Sequence, residues 1–207
     1  MIIIDGFLSN KDFDEISSDE LWESTKDGIK AGSPRMHWFA KEDEPNNIWE
    51  RVCKQIFEGG AIDYRNEEYA GYEYWVNDYK EQPFLDVHQD KDEALWLTKQ
   101  EYAFPVFGCA FYCHKEFPIG GSLIIHAGDE YEKILPVPNR LVIFQSNASH
   151  HVEDVTGGIR RGLTINIWKD KPLEQNFEDS GLSMDKYKDK GLFDENGKPQ
   201  GFDKNAV

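Results

Sequence analysis

Two periods of apolar residues divide this chain. Between residues 48 and 57 they recur at helical spacing, as Ile48, Trp49, Val52, Cys53, Ile56 and Phe57. Pro45-Asn46-Asn47 opens that helix and Gly59-Gly60 ends it. A more ragged stripe of Phe13, Ile16, Leu21 and Trp22 predicts one earlier helix, from Ser9 or Asn10 to about Lys26. Gly28, Gly32 and Pro34 then break the pattern, and Met1 to Phe7 reads as a leading strand. From Tyr72 the period becomes two. Strands are expected at 72–79, 84–90, 106–114, 122–126, 131–135, 140–144, 150–155 and 161–168, with Gly and Pro turns between several of them. The stretch from Leu95 to Tyr102 fits neither period.

About eight short strands after two helices suggest a mainly β chain folded as a jelly roll, a double-stranded β-helix, with the N-terminal helices packed on the larger sheet. One domain is expected over residues 1–207, with a lead-in of strand and helices (1–70), a core (71–168) and an irregular, charged, Gly-rich tail (169–207). The last strong strand has two unlike faces. Leu163, Ile165 and Ile167 follow Arg161 on one; Gly162, Thr164, Asn166 and Trp168 follow Arg160 on the other. The aliphatic face should pack under the helices, and the small polar face suits a cavity wall.

Charge removes several function classes. The net charge of −16 argues against nucleic acid and against anionic membranes, since both contacts need stripes of Lys and Arg. The apolar N-terminus is short and lacks the basic start of a signal peptide, and no run reaches transmembrane length. Three Cys, an odd number, suggest reduced thiols and a cytoplasmic setting. Cys53 lies on the helical stripe as a small buried hydrophobe. Cys109 and Cys113 share a strand face with Cα atoms roughly 13 Å apart, at about 3.3 Å per residue, too far for a disulfide.

The candidate chemistry begins at His88-Gln89-Asp90. In an extended run, His88 and Asp90 point the same way. An imidazole beside a carboxylate is two thirds of the 2-His-1-carboxylate site of non-haem Fe(II) oxygenases. Alone the pair is degenerate, and its bland alternative is a solvated turn; flanking Phe84, Leu85 and Val87 speak against that. The third ligand would be His150 or His151, with Arg160-Arg161 following. His126 and His37 read as structural or loop residues.

Four segments in order then resemble the Fe(II)/2-oxoglutarate-dependent dioxygenases, in their prolyl 4-hydroxylase-like branch. They are Tyr79 with His88-Gln89-Asp90 nine residues on; Gly108 to His114 followed by Gly120-Gly121-Ser122-Leu123; Asn139 to Ser146; and His150-x-Val152-x-x-Val155-Thr156-x-Gly158-x-Arg160. The resemblance implies Fe(II) on His88, Asp90 and His150, because the family's spacing to Val152, Val155, Gly158 and Arg160 counts from His150 and not from His151. It implies 2-oxoglutarate on the metal, with its 5-carboxylate held by Arg160, an always-charged planar fork. Tyr112, Tyr79 and Thr164 would assist, with Arg161 the alternative if the register slips by one. O2 is then the co-reactant, ascorbate the reductant, and succinate and CO2 the products. The substrate would be a prolyl or other residue of a protein or peptide, or a small molecule. Asp90 weighs against a halogenase. The alternative class is a non-catalytic, metal-binding, cupin-like jelly roll.

Overall fold

Alternation along the central strands produces two sheets with one shared interior. The structure, a computed structural model, describes residues 1–25, 29–30, 33–34, 36–61, 68–79 and 84–173. The larger sheet has six antiparallel strands. In chain order these are β1 (Ile2–Asp5), β4 (His37–Ala40), β5 (Gly71–Asp78), β7 (Phe107–Tyr112), β11 (Arg140–Gln145) and β14 (Arg161–Trp168), in the spatial order β1-β11-β7-β14-β5-β4. The smaller sheet pairs β6 (Leu85–His88), β9 (Leu123–Ala127), β10 (Glu130–Ile134) and β12 (His150–Val152) in the order β10-β9-β12-β6. Two short ribbons complete the strands: β2 (Ile29–Lys30) with β3 (Ser33–Pro34), and β8 (Ile119–Gly120) with β13 (Val155–Gly157). The result is a mainly β, double-stranded β-helix fold.

Both faces of the larger sheet are covered. Leu163, Ile165 and Ile167 are fully buried in one cluster with Cys109, Phe111, Leu141 and Ile143, beneath helices α1 (Asn10–Ile16), α2 (Asp19–Thr25) and α3 (Ile48–Glu58). Each such aliphatic side chain contributes about 1.5–3 kcal/mol by burial. On the other face Tyr79, Tyr112, Val142 and Phe144 meet Leu123, Ile125, Ile134 and Val152 of the smaller sheet. Cys53, Cys109 and Cys113 are free and buried.

Several elements differ from the sequence expectation, among them the strand expected at 150–155, which ends at Val152, with Val155 opening a separate strand. The single helix to Lys26 is two helices, because Ser17 Oγ donates to the Phe13 carbonyl (2.5 Å) and Ser18 Oγ to that of Glu15 (2.9 Å). Serine hydroxyls compete with the helix for backbone partners, and Ser18 Oγ then accepts the Leu21 N–H that starts α2 (3.4 Å). The ambiguous insertion contains α4 (Glu93–Lys99), whose cap Asp92 accepts the Leu95 N–H at 2.9 Å. Around His37 the chain is an edge strand, with His37 stacked on Tyr74 at 5.2 Å. Most of the tail expected at 169–207 lies outside the described residues.

His114 ties the start of β14 to a neighbouring loop. Its Nε2 lies 2.9 Å from the Pro136 carbonyl, and its Nδ1 lies 3.1 Å from the Arg161 carbonyl and 3.3 Å from the Arg161 nitrogen; in the neutral ring Nε2–H donates to Pro136 and Nδ1 accepts the Arg161 N–H. Burial pushes its pKa below the usual value, and the nearby charges of Arg160 and Arg161 act the same way against the two backbone carbonyls. The folded state therefore holds the neutral ring, whereas the unfolded His titrates near 6.5. Stability from this group is fully present above about pH 6.5 and is lost as pH falls through the lower folded value. Chemical denaturation at several pH values should show His114→Gln losing less stability than wild type between pH 7.5 and 5.5. Parallel losses would contradict the neutral-ring assignment.

Candidate active site

Strand pairing brings the distant ligand candidates together. His88 ends β6 and lies directly opposite His150 on β12. Asp90 follows two residues later, and one ligand atom from each of the three side chains lies within 4.8 Å of the others. His88 Nε2 is 3.6 Å from Asp90 Oδ1, and His150 Nε2 is 3.7 Å from Asp90 Oδ2. The opposite ring nitrogens are occupied: His88 Nδ1 bonds the Asp86 carbonyl (2.8 Å) and His150 Nδ1 that of Ala148 (3.1 Å). A proton on each Nδ1 leaves an Nε2 lone pair facing Asp90, the arrangement that outer partners impose on metal-bound histidines.

Asp90 Oδ2 is buried and has no hydrogen-bond partner. A buried polar atom left unpaired costs about 1–3 kcal/mol, more if charged. Two lone pairs aimed at that carboxylate cannot relieve it; a cation can, and the N2O donor set suits Fe(II). Burial pushes the His150 pKa down, opposed by Asp90 and reinforced by His88, so the ring is held in the neutral form that ligates. Phe144 packs edge-on against His150 at 4.9 Å. Gly108 makes room for that ring, since a Cβ there would lie 2.9 Å from it.

A second charged group lies farther into the cavity. Arg160 is 3% exposed. Its Nε donates to the Gly121 carbonyl (2.7 Å), and its guanidinium lies 4.1 Å from the Tyr79 ring centre and 5.3 Å from that of Tyr112. Its terminal nitrogens have no carboxylate partner among the described residues. The Tyr112 hydroxyl is buried and unpaired. Burial pushes that phenol's pKa up against the pull of the Arg160 charge, so it remains a donor. Thr164 Oγ1 accepts from Asn77 Nδ2 (3.2 Å). The space between the sheets is lined by His88, His150, Tyr79, Tyr112, Arg160 and Thr164, so these six candidates share one cavity, with Asp90 beside its two histidines.

Their neighbours in sequence face elsewhere. Arg161 bonds Asp78 (3.2 Å) and Asp19 (2.6 Å), with its guanidinium 5.1 Å from the Trp22 ring centre. His151 pairs through Nδ1 with His126 Nε2 at 3.0 Å. Sequence reasoning missed Trp75 and Asn77, which also line the cavity. Alternation back from Tyr79 along its strand was the signal that could have found them. It also treated Gly120-Gly121 as a turn, although the Gly121 carbonyl touches Arg160.

A model of the 2OG-Fe(II) oxygenase superfamily matches residues 74–169, which contain every residue of this cavity named above. No curated protein sequence matches the chain. Among solved structures, a Pseudomonas putida prolyl-4-hydroxylase is 13% identical with TM-score 0.62, covering 81% of this chain and 91% of its own. A Trichoplax adhaerens prolyl hydroxylase, solved with a peptide fragment of the hypoxia inducible factor oxygen degradation domain, is 15% identical (TM-score 0.59; 84% and 85%). The viral collagen prolyl hydroxylase of Paramecium Bursaria Chlorella virus-1 is 18% identical (0.55; 82% and 95%). Residues 74–169 thus match a 2OG-Fe(II) oxygenase core. Its fold is similar to that of these prolyl hydroxylases.

The two arginines should separate experimentally. Arg161→Ala removes a largely buried charged hydrogen bond to Asp78, worth about 1.5–3 kcal/mol; the bond to exposed Asp19 adds little. Urea denaturation should register that loss. An effect below about 0.5 kcal/mol would mean that the ion pair is not a stabilising one.

Proposed function

We propose that this chain is an Fe(II)- and 2-oxoglutarate-dependent dioxygenase that hydroxylates a prolyl or other residue of a protein or peptide, or a small molecule, with release of succinate and CO2. The observation that carries this reading is the Asp90 carboxylate, with one oxygen buried and unpaired, between two imidazole nitrogens that share a cavity with a buried guanidinium. In this reading His88, Asp90 and His150 hold the metal. Bound Fe(II), with 2-oxoglutarate and O2, supplies the oxidising power to hydroxylate an unactivated C–H bond.

The chain's own groups bind and orient. Arg160 offers its terminal nitrogens to the 5-carboxylate of 2-oxoglutarate, and a bidentate pair there suits its planar fork. The Tyr112 hydroxyl donates to the same carboxylate, ending its unpaired state. Tyr79 covers the guanidinium face, and Thr164, tethered by Asn77, narrows the wall beside it. The apolar lining from Leu123, Phe144 and Val152 excludes water, which strengthens each of these charge contacts. Ascorbate would serve as the reductant. We read residues 1–207 as one domain, with the core at 71–168 between the lead-in and the tail. Buried reduced thiols, and no described helix long and apolar enough to cross a membrane, fit a cytoplasmic enzyme.

Succinate formation from 2-oxoglutarate with Fe(II) and ascorbate tests the reading. His88→Ala and Asp90→Ala should each abolish it; full activity in either would remove the ligand assignment. Arg160→Ala should raise the 2-oxoglutarate Kd at least tenfold, about 1.4 kcal/mol, in anaerobic titration of the metal-loaded protein. Metal affinity should hardly change. If Arg161→Ala were the damaging substitution instead, the inward face of β14 would be the opposite one.

A further inference from the structure

The pair Gly120-Gly121 does more than turn the chain. Gly121 adopts a left-handed φ of +71°. Its N–H is fixed by the Asp154 carbonyl at 3.0 Å, and its own carbonyl accepts Arg160 Nε–H at 2.7 Å, in a buried bond. A Cβ at Gly121 would lie 2.6 Å from Arg160 Cδ, 3.3 Å from its Nε and 2.9 Å from Val155 Cγ2. No side chain fits there while Arg160 keeps its course. Tyr79 lies against the guanidinium at 4.1 Å.

An arginine has five N–H donors in a rigid fork. A carbonyl bonded to Nε fixes the rotation of the guanidinium plane. It also leaves the outer edge, formed by the two terminal nitrogens, for a ligand. We propose that Gly121 is a positioning residue for 2-oxoglutarate: its carbonyl holds Arg160 by Nε, so that the terminal nitrogens meet the 5-carboxylate already oriented. This rests on the reading of Arg160 as the partner of that carboxylate. A side chain ordered before the ligand arrives loses little freedom on binding, which is how pre-organisation raises affinity. Lysine could not substitute for this arginine, because one ammonium cannot serve the carbonyl and present a fork.

Gly128 provides a matched control. It has nearly the same φ, +68°, in the turn between β9 and β10, but an added Cβ there meets nothing within 4 Å. Gly128→Ala therefore carries the backbone strain of Gly121→Ala without the contact. In anaerobic titrations of the Mn(II)-loaded full chain, Gly121→Ala should raise the 2-oxoglutarate Kd at least tenfold, with the Mn(II) Kd within about twofold of wild type. Gly128→Ala should change neither. In turnover, Gly121→Ala should raise the KM for 2-oxoglutarate far more than it lowers kcat. Gly121→Ala/Arg160→Ala should bind no more weakly than Arg160→Ala alone.

A wild-type Kd in Gly121→Ala, or an equal loss of Mn(II) affinity, would overturn the clamp while Arg160→Ala still supported the carboxylate assignment. An unchanged Kd in Arg160→Ala would instead remove the assignment on which the clamp rests. Should Gly121→Ala fail to fold, the wild-type protein decides. With 15N-labelled arginine and no metal or 2-oxoglutarate added, the Arg160 Nε–H should exchange slowly with solvent. Rapid exchange there would overturn the proposal.

Discussion

The register of β14 is the constraint on which the rest depends. This strand lies between β5 and β7 in the middle of the larger sheet, so both its faces are buried against different partners. Leu163, Ile165 and Ile167 must stay under the helices, since turning them over would move three fully buried aliphatic side chains out of the core and into the cavity, and put Thr164 and Asn166 in their place. A one-residue slip inverts every side chain on a strand, so the hydrophobic demand of one face fixes the polar content of the other. Arg160 and Arg161, adjacent and chemically identical, are sorted by this alone. One reaches the cavity; the other closes an ion pair with Asp78 beneath α2.

The metal candidates depend on a different pairing, that of β6 with β12. Opposed residues on neighbouring antiparallel strands bring His88 and His150 within ring contact at 4.3 Å. The register between these strands shifts just beyond that pair, so the alignment is local to the site. Asp90 arrives from the loop after β6 and is held there without a hydrogen bond for one of its oxygens. The site is thus less favourable without a cation than with one. Uncompensated polar groups of this kind persist where a ligand completes them.

Periodicity made the layers legible, and alternation separated the two arginines and assigned faces to the final strand. Contributions from the backbone were not legible. Serine hydroxyls that break a helix at Ser17 and Ser18 look, in sequence, like ordinary polar residues on an exposed face. The strands β8 and β13 are too short to give any period, yet their ribbon carries the Gly121 carbonyl to Arg160. Glycine in the sequence signals freedom of φ, but not which way the carbonyl of that residue will point. For Trp75 and Asn77 the information was present, in the same alternation that singled out Tyr79, and extending the argument two rungs would have recovered both.

In the proposed assignment, charge balance also dictates the ligand. A divalent metal with one carboxylate, together with one buried guanidinium nearby, leaves two positive charges uncompensated. The neutral imidazoles add none. A dicarboxylate supplies the matching pair, one group at each end, and a monoacid would leave Arg160 buried and unpaired, at a cost of several kcal/mol. The surrounding protein works against such a ligand: at −16 overall, its field repels anions from a distance. Recognition of 2-oxoglutarate therefore has to be local. It falls to contacts that act only inside the cavity, which is why the orientation of one guanidinium, held by one main-chain carbonyl, carries so much of the argument.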